Sequence, residues 1–226
     1  MDTTDTATPS EGMPGRPRAA AIDDALRSAF EELIAEIPLR EFSVRALVAR
    51  AGTTRDAFYR RYGSLGHFFI EVMLSRYATD PTEDTGSLVG DLLVIQREQR
   101  DMYNDPIAKG LLPLILDASF RDPVTADALS EQFITPQRAA VVALLTRAVD
   151  RGEVSAIADV DYVIDQLYAP MLFRSVLPGR GSVDEEYGLA TIRTALRELG
   201  HPDPEGAVAQ GVSAERRARG GRHGEA

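Results

Sequence analysis

The sequence predicts an all-α protein. Between about residues 19 and 199, apolar residues recur with helical periodicity, and the alternation typical of strands is scarce. Glycine, proline and helix-capping residues divide this stretch into about ten short segments. With 44% apolar residues in a chain of 226, enough side chains are available for a buried core. We therefore expect about ten helices, arranged as a three-helix head and a larger helical body.

The head is predicted from residues 19 to 64. Its first helix runs from about residue 19 to 37 and ends at Pro38. The apolar face of this helix carries Ile22, Leu26, Phe30, Leu33 and Ile37. A second short helix begins at the N-cap Ser43 and ends at Gly52, and a third follows the cap Thr54. The side chains predicted to face the core from the third helix are Ala57, Phe58 and Tyr62.

The body is predicted from residues 65 to 199. Asp122-Pro123 and Thr135-Pro136 both combine a capping side chain with proline, which indicates helix starts. The predicted body helices cover about residues 65–77, 88–102, 107–116, 123–133, 136–152, 159–177 and 184–199. Residues 1–18 and 200–226 contain few large apolar side chains, so we expect a disordered arm with a basic tip and a disordered tail.

Composition excludes several classes of function. The chain has no cysteine, which excludes disulfides, thiolate metal sites and cysteine nucleophiles and fits a reducing cytoplasm. No stretch approaches the ~20 apolar residues of a membrane span, and the acidic start is unlike a secretory signal. The sequence also lacks the common nucleotide, metalloprotease and hydrolase motifs. We expect a cytoplasmic protein that is not an enzyme and binds no metal or cofactor.

Charge is distributed unevenly along the chain. The net charge of −10 argues against binding to nucleic acid. Residues 43–62, however, carry five arginines and one aspartate, a net charge of +4, whereas residues 63–226 sum to −9. Because charges are screened beyond about 8 Å at physiological salt, a basic head on an acidic body can still bind DNA.

Two short helices joined by a glycine-containing turn have the geometry of a helix-turn-helix, which places its second helix in the major groove. Arg55 or Arg60 could contact a guanine edge, while Thr53, Thr54, Tyr59 and Arg61 suit phosphate oxygens. Asp56 could instead pair with Arg60. The predicted DNA-binding residues are Arg16, Arg18, Ser43, Arg45, Thr53, Thr54, Arg55, Asp56, Tyr59, Arg60 and Arg61.

Residues 15 to 77 resemble the N-terminal domain of the TetR family of transcriptional regulators. The resemblance rests on an ordered set of short features, which are Gly15-Arg16-Pro17-Arg18, Ser43, Ala51-Gly52-Thr53-Thr54, and Phe58-Tyr59 followed by Tyr62. The run from Arg147 to Glu153 also looks like the family's C-terminal domain. Two positions depart from the family pattern. Thr53 stands where valine is usual, and Leu65 stands where a phosphate-binding lysine is usual.

The resemblance implies a homodimer formed by the eighth and ninth helices and a small-molecule effector bound in the body. The predicted dimer residues are Val141, Leu144, Leu145, Ala148, Val163, Leu167 and Met171, with the alternative that these apolar stripes serve only the core of one protomer. The predicted ligand-binding residues are Arg97, Met102, Tyr103, Phe120, Phe133, Tyr168, Met171 and Arg174. Gln99 and Gln166 are further polar candidates.

These features favour a ligand-responsive repressor that binds a palindromic operator in double-stranded DNA and is released by a small molecule. An alternative is a helical ligand-binding or interaction protein whose head has lost DNA binding, since Leu65 removes a phosphate contact. The sequence leaves open whether the protein represses or activates.

Overall fold

The structure, a computed structural model, describes residues 16–77, 84–155 and 159–222. These residues are almost entirely helical and include no strand, which confirms the all-α prediction. None of the described helices is both long enough and apolar enough to span a membrane. The chain divides into two compact units at Leu65, one comprising residues 1–65 and the other residues 66–226.

The first unit contains the three predicted head helices. Helix α1 begins three residues earlier than predicted, inside the stretch assigned to the arm. The elements are α1 (Arg16–Glu36), a 3-10 turn (Leu39–Glu41), α2 (Val44–Arg50) and α3 (Arg55–Tyr62). Leu26, Phe30 and Leu47 are fully or almost fully buried and form the centre of this unit's core.

The second unit is built around helix α5. Its helices are α4 (Leu65–Tyr77), α5 (Leu88–Asn104), α6 (Pro106–Ser119), α7 (Pro123–Ala128), α8 (Thr135–Asp150), α9 (Val160–Val176), α10 (Glu185–Glu198) and α11 (Pro204–Arg222). Helix α5 packs against α6, α8, α9, α10 and α11. Leu92, Leu144, Ile164, Leu167 and Ile192, each at most 2% exposed, lie in the core that these helices share.

Helices α7 and α8 are joined without a break. Asp122 caps α7 as predicted, because its carboxylate accepts hydrogen bonds from the backbone N–H groups of Val124 and Thr125 at 3.2 Å each. A π-helical segment, Leu129–Ile134, then leads directly into α8. Thr135 has helical backbone angles, so it is not the helix cap that Thr135-Pro136 predicted.

The prediction of a disordered tail after residue 200 is wrong. Residues Pro204–Arg222 form α11, which packs against α5 and α10. Val208 is completely buried in the shared core. Ion pairs add to this contact, because Glu205 lies 2.8 Å from Arg193 and 2.5 Å from Arg197.

The run from Arg147 to Glu153 fixes the start of α5. Asp91, whose side chain is 1% exposed, accepts hydrogen bonds from the backbone N–H and the hydroxyl of Thr85 at 2.8 and 2.7 Å. The guanidinium groups of Arg147 and Arg151 lie 3.4 and 3.6 Å from the same carboxylate. Glu153 accepts a 2.6 Å hydrogen bond from the backbone N–H of Leu88. This part of the sequence therefore has a structural role, namely to position α5 within the body.

Candidate DNA-binding site and ligand clefts

The two short helices of the head are capped by the residues that the sequence indicated. The hydroxyl of Ser43 accepts a hydrogen bond from the backbone N–H of Ala46 at 3.3 Å. The hydroxyl of Thr54 accepts one from the N–H of Ala57 at 3.2 Å. Between the helices, Gly52 has a φ of +64°, a left-handed conformation that glycine adopts without a steric penalty. These features define a helix-turn-helix formed by α2 and α3.

One side of α3 is anchored within the head. Phe58 is fully buried, Tyr62 is 5% exposed, and their ring centroids lie 5.3 Å apart. The Tyr62 hydroxyl donates a 2.9 Å hydrogen bond to the carboxylate of Asp23 on α1. Asp23 is itself only 9% exposed. The anchored side of α3 holds the opposite side towards solvent.

The solvent side of α3 presents a cationic surface. Arg55, Asp56, Tyr59 and Arg60 are all exposed, and the guanidinium of Arg55 lies 6.0 Å from the centroid of the Tyr59 ring. In the described part of the chain, no carboxylate lies within ion-pair distance of Arg55, Arg60 or the exposed Arg45 of α2. The suggested pair between Asp56 and Arg60 is therefore not formed. We call Arg45, Arg55, Tyr59 and Arg60 the basic face.

The other two arginines of residues 43–62 are held by carboxylates. Arg61, predicted to contact phosphate, forms an ion pair with Asp23. Arg50 lies 3.1 Å from Glu32 and 2.6 Å from Glu36. The Arg50 guanidinium lowers the pKa of Glu36, mainly through their hydrogen bonds.

Five further predicted DNA-binding residues lie at or near the ends of the head helices. Ser43 and Thr54 are exposed beside the starts of α2 and α3, and Thr53 is half-buried in the turn between them. Arg16 and Arg18 lie in the first turn of α1. The rest of the predicted arm, residues 1–15, lies outside the described residues.

The predicted ligand-binding residues do not form one site. Met102, Tyr103, Phe133 and Met171 are buried, and burial raises the pKa of Tyr103. Phe120 is 88% exposed, so its predicted place in a cavity wall is wrong.

Two of the remaining ligand candidates, Arg97 and Arg174, are engaged with other side chains. Arg97 forms an ion pair with Glu215 of α11. The Arg174 guanidinium lies 3.9 Å from the centroid of the Tyr187 ring. Tyr168 is partly buried, and burial, with smaller effects from Tyr103 and Glu98, raises its pKa.

Two clefts flank α5 in the body. The linings of the two clefts differ in charge. The first, of about 300 Å³, is lined by Arg76, Tyr77, Glu98, Gln99, Asp101, Met102 and Asp105. The second, of about 230 Å³, is lined by Leu93, Gln96, Arg97, Arg100, Glu185, Gly188, Leu189, Val212, Glu215 and Arg216. Only Gln99 and Met102 in the first cleft and Arg97 in the second were ligand candidates from the sequence.

The predicted dimer residues are core residues of a single protomer. None of the seven is more than 2% exposed, so they cannot provide an interface. The seven are Val141, Leu144, Leu145, Ala148, Val163, Leu167 and Met171. Their apolar periodicity reflects the inward sides of α8 and α9. On the outward sides, Val142, Tyr162 and Phe173 are 42%, 48% and 53% exposed.

A helix-turn-helix with a solvent-exposed basic face, joined in one chain to a larger helical body, defines a DNA-binding transcriptional regulator. Residues 82–195, half of the chain, match the model of the tetracyclin repressor-like C-terminal domain. The chain belongs to the TetR family of transcriptional regulators.

Similar proteins agree with this assignment. The HTH-type transcriptional regulator Rv1556 of Mycobacterium tuberculosis is 29% identical over 76% of this chain and 83% of its own length. The HTH-type transcriptional regulator YdeS of Bacillus subtilis is 26% identical over 81% of this chain and 92% of its own length.

Solved structures share the fold at lower sequence identity. The TetR family transcription regulator SCO0332 superposes with a TM-score of 0.59 at 21% identity, covering 80% of this chain and 97% of its own. Salmonella enterica GusR gives a TM-score of 0.57 at 18% identity, covering 83% and 98%.

Proposed function

We propose that this chain is a ligand-responsive repressor that binds a palindromic operator as a homodimer and is released by a small molecule. The observation that carries the proposal is the basic face, which residues of α2 and α3 form together. Its arginines are exposed and have no partner among the described carboxylates, so their donors remain available for phosphates and base edges. A head that had lost DNA binding would have no need to keep these cations unpaired.

Residues outside the basic face have supporting roles in this proposal. Ser43, Thr53 and Thr54 lie where helix N-termini can hold a phosphate oxygen, and Arg16 and Arg18 bring further positive charge. Leu65 supplies no cation, so the share of binding energy carried by Arg55 and Arg60 increases.

A titration of DNA binding against salt tests this proposal. Fluorescence anisotropy with a palindromic fragment from the protein's own promoter should show affinity falling steeply as salt rises, because phosphate contacts release counterions. Arg121→Ala is a matched control for Arg60→Ala in this titration, since Arg121 is an exposed arginine of the body with a side chain 69% exposed. A flat salt dependence would instead favour the interaction protein with a degenerate head.

We assign the dimer interface to the outward sides of α8 and α9. Tyr162, Ala169 and Phe173 are exposed and recur at helical spacing along α9, and Val142 is exposed on α8. Two-fold pairing of this surface would bury apolar area that a monomer leaves in water. It would also give two heads for the two halves of a palindrome.

Light scattering tests this interface. Phe173→Glu places a charge on the proposed surface, so we expect the measured mass to fall towards that of a monomer. Phe120→Glu is the control, because Phe120 is 88% exposed but lies outside the surface, between α6 and α7. A Phe173→Glu protein that keeps the wild-type mass would place the interface elsewhere.

Release by a ligand follows from linkage. A small molecule that binds the body more tightly in one conformation shifts the protein towards that conformation, and a form with the wrong head spacing has lower operator affinity. A cytoplasmic location is part of the proposal, because operator and effector must meet there.

A further inference from the structure

The first cleft beside α5 has an unusual lining. It lies where the ends of α4 and α5 meet the start of α6, and its volume of about 300 Å³ suits a small organic molecule. Its walls combine several carboxylates, one arginine, one tyrosine, a glutamine and a methionine.

The charge of the cleft is negative. Glu98, Asp101 and Asp105 supply three carboxylates and Arg76 supplies one guanidinium, so the formal charge is −2 whichever of these groups pair with one another. Asp101 is the most accessible of the three, with a side chain 70% exposed. An organic cation is the ligand that this charge attracts.

Gln99 adds a specific hydrogen-bond acceptor. It is 4% exposed, and its buried Oε1 accepts no hydrogen bond within the described part of the chain. Buried amide oxygens are almost always paired, because an unpaired one forfeits its bond to water. A bound N–H donor would satisfy this atom once the Gln99 amide turns towards the cleft, because its Oε1 is closed off from solvent in this structure.

The remaining walls are neutral. Burial, with smaller effects from Asp105, raises the pKa of Tyr77, so its phenol stays uncharged at neutral pH. Met102 is 2% exposed and gives the cleft an apolar, adaptable surface for a hydrocarbon group.

We propose that this cleft binds a protonated amine. An ammonium N–H would donate to Oε1 of Gln99, the carboxylates would balance the positive charge, and the hydrocarbon part would lie against Met102. A quaternary ammonium group fits less well because it has no N–H to donate. An effector role for such an amine rests on the function proposed above. Binding of the amine to the cleft does not depend on that function.

The second cleft selects against the same ligand. Arg97, Arg100 and Arg216 outnumber Glu185 and Glu215 there, so its formal charge is +1. An amine should therefore discriminate between the two clefts.

Three probes with the same five-carbon chain test the binding chemistry. n-Pentylamine, pentan-1-ol and pentyltrimethylammonium would be titrated into the full-length protein and followed by protein NMR. The titration would extend to about 10 mM, the range expected for so few ligand atoms. We expect pentylamine to bind roughly tenfold more tightly than either analogue, because only it has both a charge and an N–H donor. Equal binding of all three, or no binding of pentylamine, would overturn the proposal.

Variants locate the site. Gln99→Leu should weaken pentylamine binding roughly tenfold and raise the thermal midpoint of the free protein, because it removes the unpaired oxygen. Asp101→Asn should weaken binding about threefold, as expected for an exposed charge. Asp127→Asn makes the same chemical change at an exposed position outside the cleft and should have no effect. Unchanged affinity in both cleft variants would contradict this location.

Operator binding separates the two proposals. Failure of the free protein to bind any promoter fragment would refute the proposed function and leave the amine titration as it stands. If the free protein binds DNA, saturating pentylamine should lower operator affinity in the wild type and Asp127→Asn, but less in Gln99→Leu at the same concentration. Operator affinity that is unchanged by bound amine would refute the effector role.

Discussion

The head and the body use arginine differently. In the head, Arg45, Arg55 and Arg60 are exposed with no carboxylate partner among the described residues. In the body, most arginines lie beside carboxylates. Examples of such pairs are Arg97 with Glu215, Arg138 with Asp161 and Asp165, Arg147 and Arg151 with Asp91, Arg193 and Arg197 with Glu205, and Arg216 with Glu185.

This difference separates the arginines that are available for DNA binding from those that stabilise the fold. A guanidinium already held by a carboxylate must give up that partner before it can bind a phosphate, whereas an exposed one gives up only water. The net charge of −10 therefore says little about DNA binding, because at physiological salt a charge more than about 8 Å from a contact surface is largely screened. Substitutions of arginines and their partners should affect DNA affinity in one region and folding in the other.

The largest expected effect is on the stability of the body. Asp91→Ala removes the carboxylate that Thr85, Arg147 and Arg151 share at the start of α5. The Asp91 side chain is 1% exposed, and the two arginines are only partly buried. We therefore expect a loss of about 3 kcal/mol in the free energy of unfolding, measured by urea denaturation. Asp84→Ala, at a side chain 46% exposed in the same network, should cost less than about 1 kcal/mol. Similar losses in both variants would show that the burial of Asp91 does not determine how much stability its carboxylate contributes.

The second effect is on DNA affinity alone. Arg60→Ala should lower operator affinity by about 1–3 kcal/mol, or roughly five- to 150-fold, because its donors are free to reach a base edge or phosphate. Since Arg60 is exposed and makes no ion pair in the head, its removal should leave the unfolding midpoint unchanged. Anisotropy and thermal unfolding on the same sample check both parts. A destabilised Arg60→Ala protein would mean that the head's cations also stabilise its fold.

The third prediction concerns α11. Val208→Ala removes two methyl groups from a completely buried site and should cost about 1–2 kcal/mol of stability, measured by urea denaturation. Val212→Ala is a control on the same helix, because Val212 is only partly buried and should cost less. A neutral Val208→Ala variant would show that α11 adds little to the core in solution.

Helix α11 also shows what the sequence could not reveal. The predicted helices have regular apolar faces, and several have clear start signals, as at Ser43, Thr54 and Asp122. These are local properties. Residues 204–222 have few large apolar side chains, so local periodicity fails there. The helix is instead held by one buried valine and by ion pairs such as Arg97 with Glu215, 118 residues apart in sequence. Such long-range partners leave no local signature.

The candidate sites follow the same division. The exposed side of α3 could be predicted because Phe58 and Tyr62 fix which way the helix faces. The residues predicted for the dimer interface lie on the inward sides of α8 and α9, because periodicity identifies an apolar side without showing whether it is buried by the same protomer or by a partner. The cleft at Gln99 combines residues from α4, α5 and the start of α6, and only the fold brings them together.

The smallest predicted effect concerns Arg61, which belongs to the head but is paired like an arginine of the body. Its partner Asp23 is 9% exposed and also accepts a hydrogen bond from Tyr62, so Arg61→Ala leaves a buried carboxylate with one donor fewer. Because the Arg61 side chain is itself 38% exposed, we expect a loss of about 1 kcal/mol in unfolding free energy, with little change in operator affinity. Arg55→Ala should do the reverse, because Arg55 is exposed and no carboxylate of the described residues lies within ion-pair distance of it. An Arg61→Ala variant that weakens DNA binding as much as Arg55→Ala, without destabilising the head, would contradict this expectation. The ion pair with Asp23 would then have to open when DNA binds, and pairing alone would not separate the two kinds of arginine.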